Sequence, residues 1–258
     1  MGRVDGKIVV VTGAAGGQGA AEAIALAREG AQVIATDVHD QAPTFAVEVA
    51  GPGEVTYRRL DVSRLEDWSD LGSWIEVEHG RVDGLVNNAG VAFRARVDEV
   101  ALADWERVLS INLTGPLLGI QTVTPLMTSG GSIVNISSVA GLTGHFPAAY
   151  TASKWGLRGL SRVASLELGP RGIRVNTICP GYIETAMTAS APDAFRVANI
   201  HEVPLGRTGT VDDVAPLVVY LISDESSYVS GAEIPVDGGQ SAHGGAKSLS
   251  DAVRAASA

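Results

Sequence analysis

Apolar residues recur along this chain in two alternating rhythms. Short continuous runs, rich in Val, Ile and Thr, stand near residues 7–12, 31–36, 55–60, 83–87, 131–136, 172–178 and 232–236. Runs of this length with no polar alternation predict strands buried on both faces of a parallel sheet. Between them, over 18–29, 64–79, 101–127, 148–168 and 211–223, the apolar positions return every three or four residues and predict helices. Strands alternating with helices make βαβ units. The fold class expected is therefore α/β: a doubly wound, mainly parallel sheet of about seven strands with helices on both faces. No internal repeat or shift of composition divides the chain. Residues 1–240 are expected to form one domain, and 241–258 a small, polar C-terminal tail that is either flexible or laid over a neighbouring subunit's cleft.

Two of the junctions between elements carry chemistry. The first run, Lys7 to Thr12, leads into Gly13-Ala14-Ala15-Gly16-Gly17-Gln18-Gly19 and then an alanine-rich stretch suited to a helix. A strand, a glycine turn and a helix start place backbone N–H groups and a helix dipole where a pyrophosphate can meet them. Glycine is needed because a Cβ would block the tight turn or hold the phosphates off the backbone. Asp37 closes the second strand at the distance where an acid can accept adenosine ribose hydroxyls. Dinucleotide binding follows, on a Rossmann-type sheet. Asp37 would repel a 2′-phosphate, and Thr36, Val38 and His39 bring no fixed positive charge. NAD is expected, with NADP disfavoured.

The second junction is Tyr150-Thr151-Ala152-Ser153-Lys154, with the serine pair Ser137 and Ser138 upstream. A phenol and an ammonium four residues apart share one helix face. A neighbouring positive charge lowers a phenol from its ordinary pKa of about 10, which makes Tyr150 a candidate general acid/base. Gly13, Asp37, Asp61, Asn88, Ser138 and Pro180 all fall at or just beyond the carboxyl ends of expected strands, the edge where open α/β sheets bind ligands.

Composition narrows the partners. With 258 residues, 45% of them hydrophobic, the chain can bury one sizeable core. A formal charge of −10 argues against nucleic acid or an anionic membrane surface. No run reaches the roughly 18 apolar residues of a membrane span, and the polar first six residues give no expectation of a secretory leader. The single cysteine, Cys179, cannot form an internal disulfide and suits a reducing cytoplasm. The five histidines (39, 79, 145, 201, 243) are too scattered for a metal site.

The ordered motifs resemble the short-chain dehydrogenase/reductase family over residues 4 to 240. They are Thr12, Gly13, Gly17 and Gly19; Asp61-Val62; Asn87-Asn88-Ala89-Gly90; Asn112; Ser138; Tyr150 and Lys154; and Pro180-Gly181 with Thr185. Within the family the chain is most similar to bacterial 3α(or 20β)-hydroxysteroid dehydrogenases, through segments such as D-G-L-V-N-N-A-G and G-S-I-V-N-I-S-S. The resemblance implies a catalytic set of Asn112, Ser138, Tyr150 and Lys154. It implies cofactor contacts from Gly13, Gly17, Gln18, Gly19, Asp37, Asp61, Val62, Asn88, Ala89, Gly90, Tyr150, Lys154, Pro180, Gly181, Ile183 and Thr185.

In that scheme Tyr150 takes the proton of a secondary alcohol while hydride leaves for nicotinamide, and in reverse donates to a ketone. Lys154 holds ribose hydroxyls and depresses Tyr150. Ser138 bonds the substrate oxygen, and Asn112 orders a water linking Lys154 to solvent. The family also implies homotetramers. Two departures stand out. The stretch from Ser138 to Tyr150 is one residue short, which leaves Ser137 and Ser138 both open as the substrate contact, and Gln18 replaces a usual aliphatic residue. Residues 182–204 would be a mobile substrate loop. Leu142, Phe146, Tyr182 and Met187 would line an apolar pocket, with Arg94, Arg96 and Arg196 its only apparent basic residues, for a cyclic substrate such as a hydroxysteroid, with a free carboxylate or phosphate less suited. Other alicyclic or aromatic alcohols and 3-oxoacyl thioesters remain open. A non-catalytic NAD-binding sensor is the other class, but such proteins tend to lose the tyrosine or lysine kept here.

Overall fold

The computed structural model describes residues 2–48 and 51–256. Seven strands form one sheet: β1 (Ile8–Thr12), β2 (Gln32–Asp37), β3 (Glu54–Arg59), β4 (Gly84–Asn87), β5 (Gly131–Ile136), β6 (Ile173–Pro180) and β7 (Glu233–Val236). Their spatial order is β3-β2-β1-β4-β5-β6-β7 with every pairing parallel. The helices are α1 (Gly17–Arg28), α2 (Phe45–Glu48), α3 (Leu65–Glu78), α4 (Leu102–Leu109), α5 (Gly115–Val123), α6 (Ala148–Leu168), α7 (Ala186–Ala189), α8 (Asp193–Glu202), α9 (Val211–Ile222) and α10 (Ala246–Ala256). Among the described residues no helix is long and apolar enough to cross a membrane.

The period-2 alternation of a strand sorts its side chains between two cores. Val9, Val11, Val33, Ala35, Val134 and Ile178 pack with Ala23, Leu26 and Val218 of α1 and α9. Ile8, Val10, Ile34, Leu85, Ile133 and Val175 pack on the opposite face with Trp68 and Ile75 of α3, Ile120 and Val123 of α5, and Ala164 of α6. This two-sided burial explains why the strand runs lack polar alternation. The order of strands reverses direction between β1 and β4, so the crevice of the sheet opens there.

Each of the seven strand runs forms a strand. The helical pattern over 101–127 forms one unbroken helical stretch from Leu102 to Leu126: α4 runs through a π-helical turn at Ser110–Thr114 into α5 and tightens to a 3-10 turn at Thr124–Leu126, with helical backbone at each junction. Pro116 and Pro125 each remove a backbone donor, and the π turn carries Asn112. The stretch expected as a mobile loop over 182–204 carries α7 and α8, and the tail carries α10, whose Leu249 and Val253 are exposed. Low apolar content hid α8 and α10, and α7 is only 4 residues long. One feature of α1 contradicts its apolar surroundings: Glu22 is fully buried, neither carboxylate oxygen has a hydrogen-bond partner, and burial pushes its pKa up to about 8.

Candidate active site

The glycine loop between β1 and α1 is shaped by contacts that only glycine permits. Gly13 has φ +67°, and a Cβ there would lie 2.7 Å from Ala89 Cα. A Cβ on Gly19 would lie 2.3 Å from the Gly13 carbonyl oxygen and 2.4 Å from Asn88 Nδ2. That close approach lets β4 lock onto β1. Thr12 Oγ1 accepts from Asn88 N (3.1 Å) and Ala89 N (3.0 Å), and Asn88 Nδ2 donates to Thr12 O (2.9 Å). At the start of α1, Gly16 offers no side-chain cap, which leaves first-turn N–H groups available to an anion. Asp37 reaches the same loop: its Oδ2 accepts from Ala15 N (3.0 Å) and its Oδ1 from Val38 N (2.8 Å).

These residues open into a cleft of about 400 Å³ that also meets Asn88, Ala89, Gly90, Ser137, Tyr150, Lys154, Thr185 and Met187. The cleft therefore unites the glycine loop with the Tyr-Lys pair, although 130 residues of chain separate them. Gln18 lines it too, with its Oε1 buried and without a partner. A glycine cradle closed to any Cβ, beside a carboxylate, fits a dinucleotide. Asp61, Val62, Pro180, Gly181 and Ile183 lie outside this cleft. Asp61 Oδ1 accepts from Ser63 N and Oγ, Val62 packs under Gly115, Pro180 ends β6, and Gly181 and Ile183 line a separate cavity beside Val203 and Val236.

The two serines after β5 part company. Ser138 Oγ accepts from Ala140 N (3.1 Å), and its hydroxyl stands near enough to the Tyr150 phenol to oppose the rise that burial causes there. Ser137 Oγ donates to Lys154 O (3.1 Å), so its hydroxyl serves the backbone of α6. Lys154 is buried, donates from Nζ to Ile136 O (2.8 Å), and sits 5.7 Å from the centre of the Tyr150 ring. The electrostatics correct the expectation that Lys154 depresses Tyr150. Burial pushes the Tyr150 phenol above its ordinary value, and what opposes this is the Ser138 hydroxyl and the charge of Arg94. Burial also pulls the Lys154 ammonium down to about 8, because losing water costs it more than one carbonyl returns.

Asn112 is fully buried in the π turn, and its amide is spent on protein groups. Oδ1 accepts from Val91 N (2.9 Å), while Nδ2 donates to Val91 O (3.0 Å) and Ser153 Oγ (3.1 Å). Ser153 Oγ in turn donates to Tyr150 O (2.7 Å). Asn112 thus ties the segment after β4 to the helix that carries Tyr150. Of the four pocket residues read from sequence, Met187 lines the cleft beside Tyr150. Phe146 and Tyr182 instead join His145 and Phe195 in an aromatic cluster with ring centres 5.4–6.0 Å apart, and Leu142 ends the short turn after Ser138. Sequence reasoning missed Ser153 and the part played by Arg94. Their only signals were a serine inside the Tyr-Lys pentad and the basic R-A-R after Phe93.

A family model described as enoyl-(acyl carrier protein) reductase matches residues 13–241. The chain is 39% identical over 251 residues to the trans-4-hydroxycyclohexanecarboxylate dehydrogenase of Sinomonas cyclohexanicum, covering 93% of this chain and 95% of that one. It is 43% identical over 242 residues to the 3-alpha-(or 20-beta)-hydroxysteroid dehydrogenase of Mycobacterium tuberculosis, covering 92% and 90%. Among solved structures, a Beutenbergia cavernae protein described as an NAD(P)-dependent gluconate 5-dehydrogenase, with NADP bound at low occupancy, matches with a TM-score of 0.88 at 38% identity, covering 93% and 98%.

Proposed function

This chain belongs to the short-chain dehydrogenase/reductase family and is an oxidoreductase of the alcohol dehydrogenase type, and on that premise we propose an NAD-dependent dehydrogenase of cyclic secondary alcohols. The observation that carries the reading is the cleft that brings Tyr150 and Lys154 together with the glycine loop, Lys154 Nζ lying 5.7 Å from the Tyr150 ring centre. A nicotinamide cofactor, when bound, supplies the hydride acceptor at the carbinol carbon. Tyr150 removes the hydroxyl proton and returns it to a ketone in the reverse direction. Ser138 donates to the substrate oxygen and stabilises the charge that develops there. Lys154 serves cofactor hydroxyls, and Asn112 ties the helix that carries Tyr150 and Lys154 to the segment after β4 through Val91 and Ser153. Such a placed acid/base contributes about 10²–10⁴-fold, with alignment supplying much of the remainder.

Gly13, Gly17, Gln18, Gly19, Asn88, Ala89 and Gly90 are assigned to the cofactor in the cleft, with Asp61, Val62, Pro180, Gly181, Ile183 and Thr185 around it. Asp37 supports NAD over NADP, since a carboxylate at the loop repels a 2′-phosphate. The aromatic cluster and Met187 support a ring-shaped, largely apolar substrate: a hydroxysteroid or a smaller alicyclic alcohol. Exposed Trp155, Val163 and Leu166 on α6 support a homotetramer, and the lone buried Cys179 supports a cytoplasmic protein. Residues 1–240 are assigned to one catalytic domain and 241–258 to a C-terminal extension.

The test is NADH formation on a panel of cyclic secondary alcohols, hydroxysteroids included, with Tyr150→Phe alongside and NADP in parallel. Turnover should need Tyr150 and favour NAD. Turnover that survives in Tyr150→Phe rejects the mechanism, and equal use of NADP rejects the cofactor assignment.

A further inference from the structure

Arg94 lies in the segment that follows β4, and both of its flanks are pinned to the catalytic machinery. Three residues before it, Val91 is held on both backbone groups by Asn112. One residue after it, Ala95 O accepts from Ala148 N (3.1 Å), the first residue of the helix that carries Tyr150. The side chain crosses to the other wall of the cleft. Its Nη2 donates to Met187 O (3.0 Å) and its Nη1 to Ser190 Oγ (3.2 Å). Met187 lines the cleft together with Tyr150 and Lys154.

What distinguishes this guanidinium is its place. Like Arg96 and Arg174 it forms no ion pair among the described residues, but its charge is the one that acts on the Tyr150 phenol. Its two hydrogen bonds are to a carbonyl and a hydroxyl. Arginine carries five N–H donors in a planar fork suited to two carboxylate oxygens, and only two are engaged here. In a chain of net charge −10, a half-buried cation without a carboxylate, bonded to a residue that lines the cleft, is a site held open to an anion.

We propose that Arg94 reads a carboxylate on the substrate, so that the enzyme takes alicyclic hydroxy acids whose ring lies against Met187 and whose reacting hydroxyl meets Tyr150 and Ser138. This rests on the alcohol dehydrogenase reading above and names its substrate class. It also revises the expectation from sequence that a free carboxylate suits the pocket less. The apolar residues receive the ring, and Arg94 receives its far end.

The experiment compares kcat/KM for 4-hydroxycyclohexanecarboxylate with that for its methyl ester, in wild type, Arg94→Gln and Arg94→Lys, with unsubstituted cyclohexanol as a third alcohol. Wild type should favour the acid over the ester, and that ratio should fall by about 100-fold in Arg94→Gln, the scale of one charged hydrogen-bonded pair. Arg94→Lys, which keeps the charge and loses the fork, should recover part of the ratio. Added salt should raise KM for the acid and leave KM for the ester in place. If Arg94 only latches α7, both substrates lose equally and the ratio stays constant, which overturns the proposal. So does a wild type that takes the ester as readily as the acid, or one that turns over cyclohexanol and neither of the others. Silence on all three would count against the dehydrogenase reading itself.

Discussion

At the ends of β1 and β4 the chain is held by backbone approaches that leave no room for a Cβ, whereas across the cleft the segment from Tyr182 to Pro204 pairs its backbone with Gly209 only at its start and is held beyond that by side chains. On the first wall the glycine loop touches Ala89 and Asn88 directly, and Asn88 donates to Thr12 from both its backbone and its side chain. On the second wall an aromatic cluster, the Arg94 bonds to Met187 and Ser190, and an ion pair between Arg196 and Glu184 do the holding. A backbone cradle presents the same groups whatever the surrounding sequence, so it suits a cofactor of fixed shape. A wall of side chains can be changed one residue at a time, so it suits the substrate. The division explains why the motif-rich half announces its ligand class while the other half has to be read from contacts.

The comparison breaks most visibly at Gly19. A methyl group there would meet the Gly13 carbonyl at 2.3 Å, so Gly19→Ala must displace either the loop or α1. Overpacking of this kind costs about 1–3 kcal/mol, and NADH affinity, followed by fluorescence titration, should drop by about 5- to 150-fold if that cost falls on the bound state. Affinity held within a few-fold would show that the cradle is softer than its contacts suggest.

A second effect belongs to the same wall but is tuned by pH. Glu22 on α1 is buried without partners, with its pKa raised from 4.5 to about 8. The folded state therefore keeps a proton that the unfolded chain gives up. Its contribution is fully present below about pH 4.5, declines as pH rises, and is lost above about 8. Each raised unit corresponds to about 1.4 kcal/mol. Glu22→Gln, which cannot ionise, should melt higher than wild type at pH 9 by roughly 5 °C or more and close on it at pH 5. Parallel Tm curves for the two proteins would mean that Glu22 finds water or a partner.

The smallest change is expected on the second wall. Arg196 and Glu184 pair at 2.7 Å, but both side chains are well exposed, at 48% and 38%. Solvent-screened pairs contribute little, so Arg196→Gln should leave Tm and NADH affinity unchanged by differential scanning and titration. A clear loss of either would mean that α8 is held more firmly than its exposed contacts imply.

The seven strands, the glycine loop and the Tyr-Lys pair were legible because each is written in neighbouring residues. A parallel strand shows as an unbroken run such as Ile8–Thr12, a left-handed φ shows as a glycine at position 13, and a shared helix face shows as the spacing from Tyr150 to Lys154. These signals need no knowledge of what lies across the fold. The π turn inside the helical stretch 101–127 was less legible, because the apolar period carries on through Asn112 and the partners of that side chain, Val91 and Ser153, are distant in sequence. Burial decided the rest. Whether Ser137 or Ser138 meets Tyr150, whether Lys154 lowers the phenol or is itself lowered, and whether Glu22 keeps its proton all depend on how much water each group loses and what stands within 3 Å of it. Arg94 is the plainest case: the sequence marks it only as one of three basic exceptions to an apolar pocket, and the folded chain alone places it without a carboxylate where its charge reaches the catalytic tyrosine.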